Sequence, residues 1–393
     1  ELGGRRLPLP RGQVVILAFG KAAPAMAGAA VGVLAGIPLR GLLVAPGPPQ
    51  PLPPLEWIPA GHPLPDAASE RAGQLLLGLA GAAGAQDLVL VLISGGGSAL
   101  AEVPAPGLTL EDVEGANRAL LRSGVPIWQV NAVRKHLSAL KGGWLARVAL
   151  PARLATLALS DVVGADPATI ASGPTVPDPT TFADALSVVE SRRLRVSKAV
   201  LAALREGAAG RRPETPKEAS SSPFVVVADG AAAAGGAVAA ARARGLTARL
   251  ASASLEGEAG EVGSRLAAAA AALAAGEMAV FAGETTVTVT GGGRGGRNQE
   301  VALAAGIALE TATGGPLVAS FATDGVDGPT DAAGGIGDAG TAARGRRHGL
   351  DARSALSGHD SHPYLAACGD LLRCGPTGTN TGDIMLAYRP RRG

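Results

Sequence analysis

The strongest buried-strand signal lies over Asp87–Ile93, where six of seven residues are aliphatic with no polar alternation. A run of that kind fits a strand covered on both faces. It stops abruptly in Ser94-Gly95-Gly96-Gly97-Ser98. Val14–Phe19 is a second short apolar run, followed by Gly20 and an Ala-rich helix-forming stretch to about Leu34. Leu42–Ala45 and Glu56–Ala60 read as further strands, separated by a Pro-rich extended loop over 46–54. Pro65 and a capping Asp66 open a helix to Leu79. Helices follow over Thr109–Ser123 and Ile127–Leu140, then a strand over Leu154–Leu159 and helices over Phe182–Ser191 and Ser197–Glu206.

Arg211–Pro223 is rich in Pro, Ser and charge and has no hydrophobic pattern, which marks a domain boundary. Alternation restarts beyond it. Phe224–Ala228 reads as a strand, a helix runs to Arg244, Ala248–Ala253 is a strand, Ala259–Ala275 a helix and Ala279–Phe281 a strand. The alternating Thr285–Thr290 run adds a strand that makes this second sheet mixed. Strands alternating with helices predict an α/β fold with parallel sheets covered on both faces, here in two three-layer α/β/α domains.

A length of 393 residues suits two domains. The hydrophobic fraction is 47%, but 57 Gly and 29 Pro break it up, and no apolar run reaches the roughly 18 to 20 residues of a membrane span. The segment from Gly3 to Pro10 is basic and Pro-rich without the apolar core of a secretion signal, and a short leader before Glu1 is left open. A net charge of +2, dispersed Arg and 3% aromatics argue against nucleic acid as a partner. Two cysteines, Cys368 and Cys374, imply no disulfide framework and read as structural thiols. Lys is confined to positions 21, 135, 141, 198 and 217, and Asn to 117, 131, 298 and 380. Types this scarce should survive where they are needed, and Lys21, Lys135, Asn131, Asn298 and Asn380 all sit in Gly-rich or charged motifs.

Glycines at 95, 96 and 97 between Ser94 and Ser98 let backbone N–H groups approach an anion, so this turn is a candidate phosphate site, with a plain flexible turn as the alternative. It is no Walker A motif, because Gly-Lys-Ser/Thr does not follow. Lys21, at a strand-to-helix turn among small and apolar neighbours, is a candidate ligand-binding lysine. Gly291, Gly293 and Gly296 formally match the dinucleotide fingerprint, but Arg294 and Arg297 beside them suit phosphate charge better than a ribose hydroxyl. Gly295, Gly296 and Asn298 belong to the same candidate phosphate segment. Asp161 and Asp324 follow strands and could hold Mg²⁺ or simply serve Gly-rich turns, and Asp327 and Asp331 lean to turn roles. Asn131, Arg134 and Lys135 share one helix and could clamp a carboxylate or phosphate, or form a solvated edge. His359 and His362 lack a third metal ligand by spacing, and no Gly-x-Ser-x-Gly elbow is present.

Taken in order, these segments resemble the glycerate 2-kinase family of the MOFRL type. The resemblance rests on Gly20-Lys21-Ala22-Ala23, Gly61-His62-Pro63-Leu64-Pro65-Asp66, Ser94 through Leu100, Asn131 through Leu137, Leu159-Ser160-Asp161-Val162 and Ala171 through Thr181. It continues through Gly283-Glu284-Thr285-Thr286-Val287, Gly295 through Glu300, Ala322 through Ala333 and Gly375 through Asn380, so that it spans about residues 14–388. Thr381-Gly382-Asp383 departs from the more usual Val-Asn-Asp.

The resemblance implies a Rossmann-like first domain, 1–220, with a mainly parallel sheet. It also implies a MOFRL-type second domain, 221–393, with a mixed sheet and the active site in the cleft between the two. It implies ATP and Mg²⁺ or another divalent cation as cofactors, and ATP and glycerate as small-molecule partners, the product being 2-phosphoglycerate. It maps Lys21 and Arg297 to catalysis. On this reading Asp161 is a base or indirect metal ligand, Ser94–Ser98 with Gly295, Gly296 and Asn298 bind phosphate, Asn131, Arg134 and Lys135 bind the substrate, and Asp324 holds metal. A cytoplasmic protein is expected, without nucleic-acid or membrane partners, and a homo-oligomer is left open. The alternatives are a hydroxypyruvate reductase using NAD(P)H, which needs a nicotinamide site, and a non-catalytic ligand-binding homologue.

Overall fold

The computed structural model describes residues 8–161, 164, 166–218 and 222–391. These form two compact units, the first made of 1–159 and 165–227, the second of 160–164 and 228–393.

The first unit runs β1 (Val14–Phe19), α1 (Ala23–Val33), β2 (Leu39–Ala45), β3 (Leu55–Pro59), α2 (Ala67–Gly81) and β4 (Leu88–Ile93). It continues with α3 (Gly97–Leu100), α4 (Leu110–Arg122), α5 (Ile127–His136), α6 (Trp144–Val148), β5 (Arg153–Leu159), α7 (Phe182–Ser191), α8 (Lys198–Ala208) and β6 (Phe224–Ala228). The sheet order is β3-β2-β1-β4-β5-β6, the Rossmann order, with β1 to β5 paired in parallel. Every residue of β1 and β4 is buried. Val15, Leu17, Val89 and Val91 pack with α2 and α6, whereas Val14, Ile16, Leu90 and Leu92 pack with α1. An unalternated aliphatic run is what a strand covered on both faces requires. Helices α4, α5, α7 and α8 form a separate apolar cluster around Val113, Leu120, Phe182 and Leu204.

The second unit runs α9 (Gly230–Ala243), β7 (Thr247–Glu258), α10 (Ala259–Ala272), β8 (Glu277–Thr286), α11 (Arg297–Ala308), β9 (Leu317–Ala322) and β10 (Gly334–Asp338). Then follow α12 (Thr341–Arg347), α13 (Ala352–Ser357), α14 (Ser361–Cys368), β11 (Leu371–Leu372) and β12 (Asp383–Tyr388). Its sheet, β11-β10-β9-β12-β8-β7, is mixed. Alternate residues of β8 divide between two layers, Ala279 toward α10 and α11 and Val280 and Ala282 toward α9.

Four expectations change. The strand read over Thr285–Thr290 ends at Thr286 as the tail of β8, and the sheet is mixed because β12 and β10 run antiparallel to their neighbours. The alternation continues past Thr286 because Thr288 and Thr290 tether a loop. Thr288 N–H donates to Glu258 and Thr290 N–H to the His359 ring. Helix α5 stops at His136 rather than Leu140, since Ala139 N–H leaves the helix to donate to Val103 O at 2.7 Å. Strand Phe224–Ala228, which lies beyond the predicted boundary segment, takes the edge of the first sheet.

Candidate active site

In the Rossmann order the strand sequence reverses between β1 and β4, and the crevice beyond their C-terminal ends is where such sheets take ligands. Gly20-Lys21 leaves β1 and Ser94-Gly95-Gly96 leaves β4, and the two turns are stitched together. Lys21 N–H donates to Gly95 O at 2.9 Å and Ala22 N–H to Ser94 Oγ at 2.9 Å. Gly20 has φ +136° and would drive a Cβ into Ser94, so only glycine serves there. Gly96 has φ +83°, and a Cβ on it would lie 3.0 Å from the His62 ring and 3.3 Å from Lys21 Cγ. The Lys21 side chain therefore lies alongside the glycine turn, half-buried beside His62.

Ser98 extends this turn. Its hydroxyl is 2.9 Å from Ser172 Oγ, which donates to Asn131 Oδ1 at 3.0 Å. Ser172 sits in a left-handed run, Ala171 φ +50°, Ser172 φ +60° and Gly173 φ +60°. Two consecutive non-glycine residues in that region carry backbone strain of the kind that clusters at ligand sites. Asn131 is thus joined to the Ser94–Ser98 turn, but its helix neighbours are not. Arg134 Nε donates to Asn117 Oδ1 at 2.8 Å, and buried Lys135 pairs with Asp178 at 3.2 Å. Burial pulls Arg134 below its ordinary pKa, opposed by the charge of Glu102.

The second unit gathers a different set. Arg297, first residue of α11, binds Asp383 through Nε at 2.6 Å and Nη2 at 3.0 Å, and Glu284 through Nη1 at 2.7 Å. A two-pronged guanidinium–carboxylate pair fixes orientation as well as charge. Burial alone would lower the pKa of Arg297, but the Asp383 bonds and the Asp383 and Glu284 charges raise it. Glu284 is pushed above the usual carboxyl range by burial, with Asp161 and Asp383 adding to the rise against the pull of Arg297. Asp161, which follows β5 in sequence but belongs to the second unit, accepts from Asn380 Nδ2 at 2.7 Å. A pocket of about 260 Å³ is lined by Asp161, Asp229, Ser254, Gly283 and Thr381 among others.

Two other residues take up positions inside this framework. Asn298 is fully buried, donating to Asp327 Oδ1 at 3.3 Å and accepting from Ser320 Oγ at 2.5 Å. Asp327 also accepts from the N–H groups of Asn298 at 3.2 Å and Gln299 at 2.9 Å. The first-turn donors of α11 are therefore engaged by a protein carboxylate, and a Cβ on Gly296 would collide with it. Gly295 packs against Ser361. Asp324 Oδ1 accepts from Val326 N–H at 3.0 Å inside its own turn. Asp383 and Glu284 lie in segments that carry the family resemblance, but nothing local in the sequence assigned them a role, because their meaning comes from an arginine distant along the chain.

Two α/β units with charged side chains and glycine turns at strand ends define the class as a two-unit α/β protein built to hold anionic ligands. Residues 4–205 match the domain of unknown function DUF4147, and residues 277–383 match the MOFRL family. The D-glycerate 2-kinase of Thermotoga maritima is 40% identical, over 95% of this chain and 90% of that one. An Agrobacterium vitis protein provisionally named a hydroxypyruvate reductase is 42% identical, over 95% of this chain and 87% of its own. The crystal structure of the Thermotoga maritima glycerate kinase aligns with a TM-score of 0.86 at 39% identity, covering 96% of this chain and 92% of that one. The chain belongs to the glycerate 2-kinase family.

Proposed function

We propose that the protein transfers the γ-phosphoryl group of ATP to the C2 hydroxyl of D-glycerate, giving ADP and 2-phosphoglycerate. The observation that carries this reading is the fixed guanidinium of Arg297. Its bonds to Asp383 and Glu284 use three of the five N–H donors of an arginine and leave its terminal nitrogens able to meet anionic oxygens. Phosphoryl transfer asks for positioning and charge neutralisation more than for covalent chemistry. Arg297 neutralises the transferring oxygens, and Lys21 does the same for phosphate oxygens beside the Ser94–Ser98 turn, where the N–H groups of Ser94 and Gly97 already donate to Phe19 O and Ser94 O, so that the partly exposed Gly96 is the turn residue assigned to meet the phosphate. The hydroxyl oxygen attacks phosphorus in line, the bond to ADP breaks, and the hydroxyl proton passes to the Asp161 carboxylate held by Asn380.

Among the described residues no three His, Cys, Asp or Glu side chains converge as a metal cluster. Mg²⁺ is commonly held by one or two carboxylates together with substrate phosphates, and the half-exposed Glu284, in a field made more negative by Asp161 and Asp383, fits that requirement. Bound there, it would offset the charge of the ATP phosphates. A cytoplasmic location suits a reaction that consumes ATP.

The reductase reading draws no support from the site. Ten residues separate the end of β8 from α11, and Gly291 and Gly293 pack against the Gly358 backbone instead of forming a tight strand-to-helix turn. The first turn of the Rossmann-ordered sheet reads Gly20-Lys21-Ala22, without a dinucleotide fingerprint. Phosphorus NMR of the reaction with D-glycerate, ATP and Mg²⁺ is expected to show ADP and a 2-phosphate monoester. NAD(P)H oxidation with hydroxypyruvate and no phosphorylated product would reject the reading.

A further inference from the structure

The loop 287–296 delivers Arg297 to the first turn of α11, and it is rich in glycine and exposed over 288–294. Such a segment has no stiffness of its own. Its order comes from ties to the turn that joins α13 to α14. Gly293 N–H donates to Gly358 O at 3.0 Å, Arg294 N–H to Asp360 Oδ1 at 2.9 Å, and His362 N–H to Arg294 O at 3.0 Å. His359 stands at the centre of this turn with φ +57°, a conformation that a non-glycine residue holds only when its surroundings enforce it.

The imidazole reaches both ends of the loop. Nε2 lies 3.1 Å from Thr290 N, and Nδ1 lies 3.0 Å from Glu300 Oε1 on α11, three residues beyond Arg297. A backbone N–H can only donate, so Nε2 must be the acceptor, and the single ring proton then sits on Nδ1 and points at the carboxylate. Geometry thus assigns one neutral tautomer. Thr290 Oγ1, 3.2 Å from the same nitrogen, can donate as well. Burial raises the Glu300 carboxyl pKa against the opposing pull of His359, and Glu258 and Asp327 add to the rise. Glu300 in turn interacts with Glu258 at the end of β7 and Asp327 after β9, and Asp360, next to His359, holds the Arg294 N–H.

We propose that His359 is a positioning residue, a neutral-imidazole strut between Thr290 and Glu300 that holds the 287–296 loop and so the aim of Arg297. The proposal rests on the kinase reading only for its catalytic consequence.

The test compares wild type with H359N, H359A and E300Q, by hydrogen exchange of 287–296 peptides and by kinase kinetics. Asparagine tolerates positive φ and can still donate to Glu300, but it is too short to accept from Thr290. H359N is expected to lose protection at Thr290 and to lower kcat roughly ten- to a hundredfold, with smaller changes in KM. E300Q, which keeps an oxygen to accept the Nδ1 proton, should stay near wild type in both readouts. If H359A does not fold, H359N carries the test alone. Wild-type protection and kcat in H359N, or loss of Thr290 protection in E300Q as deep as in H359N, would overturn the strut. Expected exchange behaviour in a protein that makes no phosphoglycerate would uphold the strut and reject the kinase reading.

Discussion

Lys21 and Arg297 are cations with different mechanical situations, and substitutions should separate them. Lys21 carries a point charge on an unbranched stem beside Gly96, whereas Arg297 presents a planar fork bound by two carboxylates. K21A and R297A are each expected to lower kcat by about a hundredfold or more, the usual scale for one preorganised charged donor. R297K should recover little, because an ammonium cannot keep the two-pronged bond to Asp383 while meeting Glu284. Steady-state kinetics of the three variants check this, and near-normal turnover in any of them would contradict the role given to that side chain. Lys21 stands out in the sequence because a lone lysine among Gly, Ala and Phe has no local reason to be there. Lys135 was equally conspicuous, but its partner Asp178 lies 43 residues away, and no local pattern announces a pairing of that separation. Asp383, 86 residues from Arg297, escaped for the same reason.

Helix α11 shows how one buried carboxylate sets an element that carries the site. Asp327 accepts from the backbone of Asn298 and Gln299 and from both of their side-chain amides, and burial, the largest influence, raises its pKa against those bonds. D327A should destabilise the second unit by about 1–3 kcal/mol, the cost of leaving buried donors unpaired. It should also lower kcat by misdirecting Arg297, one residue ahead. Urea unfolding followed by kinetics on the folded variant measures both effects, and unchanged stability would show that the donors find water instead. Among the strands, β1 and β4 could be read directly from aliphatic runs. Strand β10, Gly334-Gly335-Ile336-Gly337-Asp338, could not. Glycines are depleted in strands, and here they are required because Ser320 O and Ala302 O occupy the space of side chains at 334 and 337.

The two units should differ in their response to acid, because raised carboxyl groups are gathered in the second. In the first, Asp66, Asp87, Asp112, Asp178, Asp184 and Glu214 all have lowered pKa values. For Asp178, burial works against the shift and the Lys135 charge prevails. A lowered carboxyl contributes stability that is present above its unfolded value, near 3.8 for Asp, and lost as pH falls through the folded value. In the second unit Glu284, Glu300, Asp327 and Asp370 are raised, chiefly by burial, whereas Asp331 is lowered to about 2 by its bonds to His362 and Arg373 and Asp351 is lowered by its bonds to Ser354. Their contribution is present at low pH and lost as pH rises through the folded values. Below about pH 4 the first unit should therefore open before the second. Trp57, Trp128 and Trp144 all lie in the first unit, so their emission reports it alone. A red shift of tryptophan emission while α11 amides remain protected is the expected result, and loss of α11 protection first would refute it.

The placement of residues 160–164 with the second unit has a consequence for how the protein can be taken apart. No single cut of the chain yields both units whole. A fragment starting at Ala228 would keep Asn380 but lack Asp161, the carboxylate its side chain holds at 2.7 Å, and the complementary fragment would carry Asp161 with no Asn380 to meet it. The second unit is therefore not a portable module. Gene fusions or domain exchanges cut at the 211–223 segment would separate a proposed proton acceptor from the unit that orients it, and a working exchange would have to transplant the five-residue excursion as well.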